Sequence, residues 1–246
     1  MASESFLDFS LVLACYNEEA IFARNAPEIL KTLDRTRWSY EIIFVEDCSQ
    51  DRTRELIDRF IASHPGYRLT RIFHEANVGR GGSVADGFRQ AKGRMMGYMD
   101  IDLEVHCRYI PTCLLALEEG ADVTTARRIY RFYWSGLIRG ILSRSYSWLM
   151  RRLLRIPLQD TETGFKFFRR EKILNLLPEI EDKHWFWDTE VMTRSFLRNY
   201  RIVEIPCLFQ RRFDKHSTLK PFSDTFSYFV KLCRFRKTLQ SRCPKK

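Results

Sequence analysis

The sequence holds 246 residues, 45% of them apolar and 29% charged, ordinary proportions for one packed α/β domain with short appendages. Its net charge of +10 is unevenly spread: residues 1–100 carry 13 basic and 15 acidic side chains, residues 101–246 carry 28 and 16, so the second part faces nucleic acid, an anionic membrane or a phosphorylated substrate. No apolar run reaches the ~18 residues of a spanning helix, the opening MASESFLDFS lacks the basic start of a secretory signal, and the seven cysteines form no CxxC pair, which reads as reduced thiols in a cytosolic protein.

In chain order, FSLVLACY (9–16) reads as a buried strand. Asn17 then caps a helix from Glu18, placing two acids in its positive first turn. EIIFVED (41–47) is a second strand, and Asp51 opens a helix whose Leu56, Ile57, Phe60 and Ile61 repeat at helical spacing. RLTRIF (68–73) is a third strand, 82–92 a helix, and RMMGYMDID (94–102) a fourth strand. Strands alternating with helices at this pitch predict a mostly parallel sheet covered on both faces, with ligands at the carboxyl ends of the strands. Acids collect at those ends: Glu18 after the first, Glu46 and Asp47 after the second, Asp100 and Asp102 after the fourth.

The second part differs. Between Asp122 and Asp160 there are eight arginines and no acid, and Trp134, Leu137, Ile138, Ile141, Leu142, Trp148 and Leu149 fall on one helical stripe. This predicts a basic amphipathic helix or two helices in tandem, either packing the stripe into the core with a solvated face or using arginine forks suited to phosphate. The tail after Asp224 has seven basic residues and no acid, interleaved with Phe226, Tyr228, Phe229, Leu232 and Phe235. It either lies on an anionic membrane surface, packs on the domain, or binds a small membrane-anchored subunit.

The D-x-D of MDIDLE (99–104) gives two carboxylates able to hold Mg²⁺ or Mn²⁺ while the ion's remaining positions take diphosphate oxygens. With it stand ACYNE (14–18), EDCSQD (46–51), NVGRGGSVADGFRQAKG (77–93), TARR (125–128), DTETGFKFF (160–168) and RRFDKHST (211–218). This ordered set resembles the family-2 glycosyltransferases, and within them the dolichyl- or polyprenyl-phosphate mannose and glucose synthases. The resemblance covers roughly residues 9–220. It implies a GT-A, Rossmann-like fold over 1–220, with a donor half to about 105, an acceptor half from 106 to 220, and 221–246 as the basic amphipathic tail.

The resemblance also implies roles. Ala14, Tyr16, Glu18, Val45 and Asp47 would line the nucleotide pocket. Asp100, Ile101 and Asp102 would meet the diphosphate and metal, with Glu104 a further metal ligand. Arg127 and Arg139 would bind the acceptor's phosphate, and Arg212 the donor's diphosphate. Thr218 stands where the family has a phosphate-binding lysine, a place that Lys215 or Lys220 could fill.

The expected activity is therefore an inverting, metal-dependent hexosyl transfer from a GDP- or UDP-linked sugar to a polyprenyl or dolichyl phosphate, peripheral on the cytosolic face of a membrane and without nucleic acid. A phosphate acceptor is already anionic and needs no general base; arginines and a divalent ion bring the two anionic substrates together. The alternative is a saccharide or protein hydroxyl acceptor, for which Asp188 and Glu190 are the candidate bases. A non-catalytic basic nucleic-acid-binding protein is the third reading, disfavoured by strand-end acids that repel a phosphate backbone.

Overall fold

The computed structural model describes residues 7–130, 152–211 and 221–242. The stripe from Trp134 to Leu149 with Arg139, and the stretch holding Arg212, Lys215, Thr218 and Lys220, lie outside the described residues.

Seven strands form one sheet in the order β3-β2-β1-β4-β6-β5-β7. They are β1 (Phe9–Cys15), β2 (Tyr40–Glu46), β3 (Leu69–Phe73), β4 (Met95–Met99), β5 (Val123–Tyr130), β6 (Phe165–Arg169) and β7 (Ile202–Phe209). β6 alone runs antiparallel to its neighbours β4 and β5; the other pairings are parallel. The helices are α1 (Glu19–Asp34), α2 (Thr53–Ser63), α3 (Arg80–Gln90), α4 (Ile110–Glu118), α5 (Arg170–Leu176), α6 (Trp187–Leu197) and α7 (Pro221–Arg242). This is the mostly parallel α/β architecture expected from the sequence.

The uninterrupted apolar runs of β1 and β2 follow from burial on both sides. In β1, Phe9, Leu11, Leu13 and Cys15 enter one core with α1, α2 and α4, whereas Val12 enters the other with α3, α5, α6 and α7. Because the chain crosses from β3 back to β4, which pairs with β1, strand order reverses between β1 and β4. In open α/β sheets that reversal opens the ligand crevice beyond the strand ends.

Two local expectations are corrected. Asn17 does not cap α1: it takes a left-handed backbone (φ 55), and its Oδ1 accepts the N–H of Gln50 at 2.8 Å. The start of α1 is held instead from the next loop, where Thr53 Oγ1 accepts the N–H of Glu18 at 2.7 Å and Asp51 Oδ2 that of Glu19 at 3.1 Å. The orphan amide groups of the helix thus find partners far away in sequence. Likewise β4 ends at Met99, so Asp100 and Asp102 lie on the turn beyond it.

α7 packs on the domain. Leu232 is fully buried and Phe235 nearly so in the core beside α6; Phe186 stacks edge-on against Tyr228 and Phe235, and Lys231 pairs with Asp182. Val230, Arg234 and Lys237 face outward. Leu232→Ala should therefore destabilise the protein by about 2–5 kcal/mol, the cost of a large-to-small change in a packed core. Calorimetry should show a lowered Tm, and an unchanged Tm would mean that α7 does not hold its place.

Candidate active site

The residues expected around a donor gather at the carboxyl ends of three adjacent strands: Ala14 near the end of β1 with Tyr16 and Glu18 beyond it, Val45 in β2 with Asp47 beyond it, and Asp100–Asp102 after β4. Their exposures differ. Tyr16 is 37% exposed and Ala14 half-buried, whereas Glu18 is buried and Val45 and Ile101 are wholly interior. The carboxylate of Asp47 is committed to the chain itself. Oδ1 meets His74 Nδ1 at 2.9 Å and accepts the N–H of Val78 at 2.8 Å, while Oδ2 accepts that of Gly79 at 2.9 Å. It thereby fixes the loop entering α3. Gly79 has φ 90, and a side chain there would strike His184 and the Lys183 carbonyl, so only glycine fits.

The turn after β4 presents its acids by alternation. Ile101, Leu103 and Val105 are buried, and Asp100, Asp102 and Glu104 between them are partly exposed. Three hydrogen bonds pin the turn: Asp100 N–H to Gly164 O at 3.0 Å, Asn25 Nδ2 to Ile101 O at 2.8 Å, and Gln210 N–H to Glu104 O at 2.9 Å. Asp102 Oδ1 accepts the N–H of Glu104 at 3.0 Å, and Leu103 takes φ 58. The apolar residues anchor the turn and leave three carboxylates, hard oxygen donors of the kind Mg²⁺ or Mn²⁺ takes, partly exposed along it; they are not drawn together as a preformed ligand cluster.

Behind Asp100 lies a charged network. Arg80, the first residue of α3, donates from Nε to Asp100 Oδ1 at 2.8 Å and from Nη1 to Asp188. Asp188, at the start of α6, also receives Lys166 Nζ at 2.8 Å and the Tyr98 hydroxyl. Lys166 and Asp188 are wholly buried, so each charge relies on the other. The guanidinium of Arg80 lies 5.4 Å from the Tyr98 ring and 5.2 Å from that of Trp185, which is 51% exposed. Burial pushes the Asp100 carboxyl up to about 6; the positive charge of Arg80 opposes this, and the charges of Asp102 and Asp188 add to it.

Asp188 and Glu190 are not free carboxylates. Asp188 is held as above. Glu190 is buried, receives Arg194 at 2.6 and 2.8 Å, and accepts the N–H groups of Glu181 and Asp182. Both carboxylates are thus engaged in the fold in this structure. Arg127, within β5, reaches Gln159 Oε1 at 2.9 Å. Its neighbour Arg128 makes a two-pronged pair with Asp160 at 2.7 and 2.9 Å; burial pushes both groups toward their neutral forms, and the pairing outweighs it, so the arginine is raised and the Asp160 carboxyl held below its ordinary range.

Among the described residues one cluster, Glu28, His106 and Cys107, has its ligand atoms all within 4.8 Å. Its members are satisfied locally. His106 Nε2 meets Glu28 at 2.9 Å, His106 Nδ1 accepts the N–H of Arg108 at 3.1 Å, and Cys107 Sγ lies 3.1 Å from Thr32 Oγ1.

The parts not foreseen are Arg80, Lys166, Trp185 and Gly164. Three of them sit inside motifs noted in the sequence, NVGRG and DTETGFKFF, but no spacing rule tells that residues 80, 100, 166 and 188 meet. A lysine in the middle of the apolar run FKFF was the one usable signal, since a buried lysine demands a carboxylate.

Against known proteins, a sequence model described as Glycosyl transferase family 2 matches residues 10–177. Glycosyltransferase AglD of Haloferax volcanii is 32% identical over 210 residues, covering 83% of this chain and 33% of that protein. The dolichyl-phosphate beta-glucosyltransferase of Dictyostelium discoideum is 23% identical over 241 residues, 92% of this chain and 73% of its own. The chain thus spans a third of the first relative and about three quarters of the second. In fold, it is similar to the glucosyl-3-phosphoglycerate synthase of Mycobacterium tuberculosis, solved with Mn²⁺, uridine diphosphate and glucosyl-3-phosphoglycerate: TM-score 0.66, 19% identity, 98% of this chain and 81% of that one.

Proposed function

The chain is a family-2 glycosyltransferase, and on that premise we propose that it transfers a hexose, with inversion, from a GDP- or UDP-linked sugar to a polyprenyl or dolichyl phosphate. Asp100, Asp102 and Glu104 would hold the Mg²⁺ or Mn²⁺, whose charge offsets that of the departing nucleoside diphosphate. The crevice side chains Tyr16 and Glu18 would meet the nucleotide, and Arg127 and Arg139 the acceptor's phosphate.

The observation carrying the acceptor assignment is the state of Asp188 and Glu190. Both are buried in ion pairs, and a phosphate oxygen, unlike a hydroxyl, needs no proton removed before attack. The name of the Dictyostelium relative, a dolichyl-phosphate glucosyltransferase, supports the same class of acceptor. Arg127 at the rim supplies a cation for the acceptor's charge, which a bidentate guanidinium suits better than an ammonium.

The ion assignment has a direct test. Mn²⁺ must displace the proton of Asp100, whose carboxyl is pushed up to about 6. Below that pH the carboxyl is protonated and neutral, so affinity should fall about tenfold per pH unit; well above it the affinity should level off. A Mn²⁺ titration followed by thermal shift with UDP or GDP reads this out. A binding curve flat between pH 5 and 8 would exclude Asp100 as a ligand.

Placement on a membrane rests on the outward basic residues of α7 and on a lipid-linked acceptor. No helix among the described residues is long and apolar enough to cross a membrane. Co-sedimentation with anionic vesicles, reversed by salt, is the expected result, each basic residue near the surface contributing about 1 kcal/mol. No binding at low salt would remove the assignment.

A further inference from the structure

Arg80 carries a role that the substrate-facing residues do not describe. It is 11% exposed and sits between two acids, Asp100 at 38% and Asp188 at 1% exposure. Its Nε and Nη2 both lie against a single oxygen, Asp100 Oδ1, at 2.8 and 2.7 Å. That leaves Asp100 Oδ2 turned toward the Cα of Gly164, where a Cβ would approach it to 1.9 Å. The guanidinium cannot swing away readily: the Tyr98 and Trp185 rings flank it, and Asp188, which it bonds from Nη1, is itself fixed by Lys166 and Tyr98.

We propose that Arg80 is a positioning residue and a standing counter-charge for the carboxylate turn, holding Asp100 in place while keeping divalent-ion affinity low enough for the ion to exchange. This rests on the reading of Asp100, Asp102 and Glu104 as the ion's ligands. Where all of these carboxylates are ionised, the electrostatic consequence has one sign. Three partly exposed carboxylates with a buried fourth behind them attract a doubly charged ion, and one rigid positive charge against Asp100 repels it. Removing that charge tightens ion binding at the same carboxylates. It also frees Asp100 from the geometry it needs to meet a diphosphate-bound ion, so turnover falls. A residue that merely supported the fold would lower both together, since a disordered turn binds the ion worse.

The experiment is a Mn²⁺ titration without nucleotide, read by the electron paramagnetic resonance of free Mn²⁺, beside steady-state kinetics on the same preparations. Arg80→Gln should bind Mn²⁺ about tenfold more tightly than wild type, with kcat lowered about a hundredfold and a native circular dichroism spectrum. Unchanged or weaker binding in a folded Arg80→Gln protein overturns the proposal. Arg80→Lys keeps the charge but loses the fork; it should bind Mn²⁺ within about twofold of wild type, and a tenfold change in either direction overturns the proposal even if Arg80→Gln fails to fold. If wild type binds no Mn²⁺, or Asp102→Ala binds it as wild type does, the ligand assignment itself has failed. If those controls behave and Arg80→Gln does not tighten, only the counter-charge idea is lost.

Discussion

Asp102→Ala is expected to abolish sugar transfer, with kcat reduced about a thousandfold or more, while the Tm stays close to that of wild type. The two halves of this expectation have separate causes. Asp102 is partly exposed on the turn beyond β4, where its Oδ1 accepts the N–H of Glu104 at 3.0 Å. An exposed turn contact of this kind contributes about 1 kcal/mol. The turn remains pinned by the burial of Ile101, Leu103 and Val105 and by the bonds to Gly164, Asn25 and Gln210. What disappears is one of the three carboxylates proposed to hold the divalent ion, and with it the charge that would offset the leaving diphosphate. Near-wild-type turnover of the variant in added Mn²⁺, or a wild type indifferent to chelators, would contradict the assignment.

Gly164→Ala is expected to act almost as strongly from a residue that need not touch substrate. A Cβ at Gly164 would lie 1.9 Å from Asp100 Oδ2 and 2.1 Å from Arg80 Nη2. Both are side-chain ends, so the backbone can survive at a cost of about 1–3 kcal/mol. The ends themselves must move, and Arg80 is tied to the buried Asp188 and flanked by the Tyr98 and Trp185 rings. Asp100 is therefore driven off its position by more than an ångström, a displacement that costs about a hundredfold in kcat/KM. Gly66→Ala is the control, because nothing lies within 4 Å of its Cβ position, and it should leave kcat/KM unchanged. A folded Gly164→Ala enzyme of normal activity would show that the Asp100–Arg80 contact is dispensable.

Much of this was readable from the sequence for physical reasons that can be named. β1 and β2 announce themselves because a sheet covered on both faces needs long apolar runs, as in FSLVLAC and EIIFVE, whereas the edge strand β3 carries exposed Thr70 and Arg71. The acids at the carboxyl ends of β1, β2 and β4 stand where the β1–β4 reversal of strand order opens a crevice. Partners distant in sequence were not readable. Asn17 looks like a helix cap, yet it bonds Gln50 while Asp51 and Thr53 do the capping. Asp188 looks like a free acid in a helix's first turn, yet it is the buried centre of a Tyr98, Lys166 and Arg80 network. The aromatic tail reads equally well as lipid-facing or core-facing. Only the packing of Leu232 and Phe235 against the α6 side decides for the core, leaving the basic residues outside.

The most direct measurement of the central claim is a transfer assay that offers GDP-mannose and UDP-glucose, each with Mn²⁺, to a polyprenyl phosphate and in parallel to saccharide and peptide hydroxyls. Transfer to the phosphate with one of the two donors, inversion at the anomeric carbon and loss of activity on chelation are the predicted result. Efficient transfer to a hydroxyl, with the polyprenyl phosphate left unmodified, would contradict it and require a base other than the ion-paired Asp188 and Glu190.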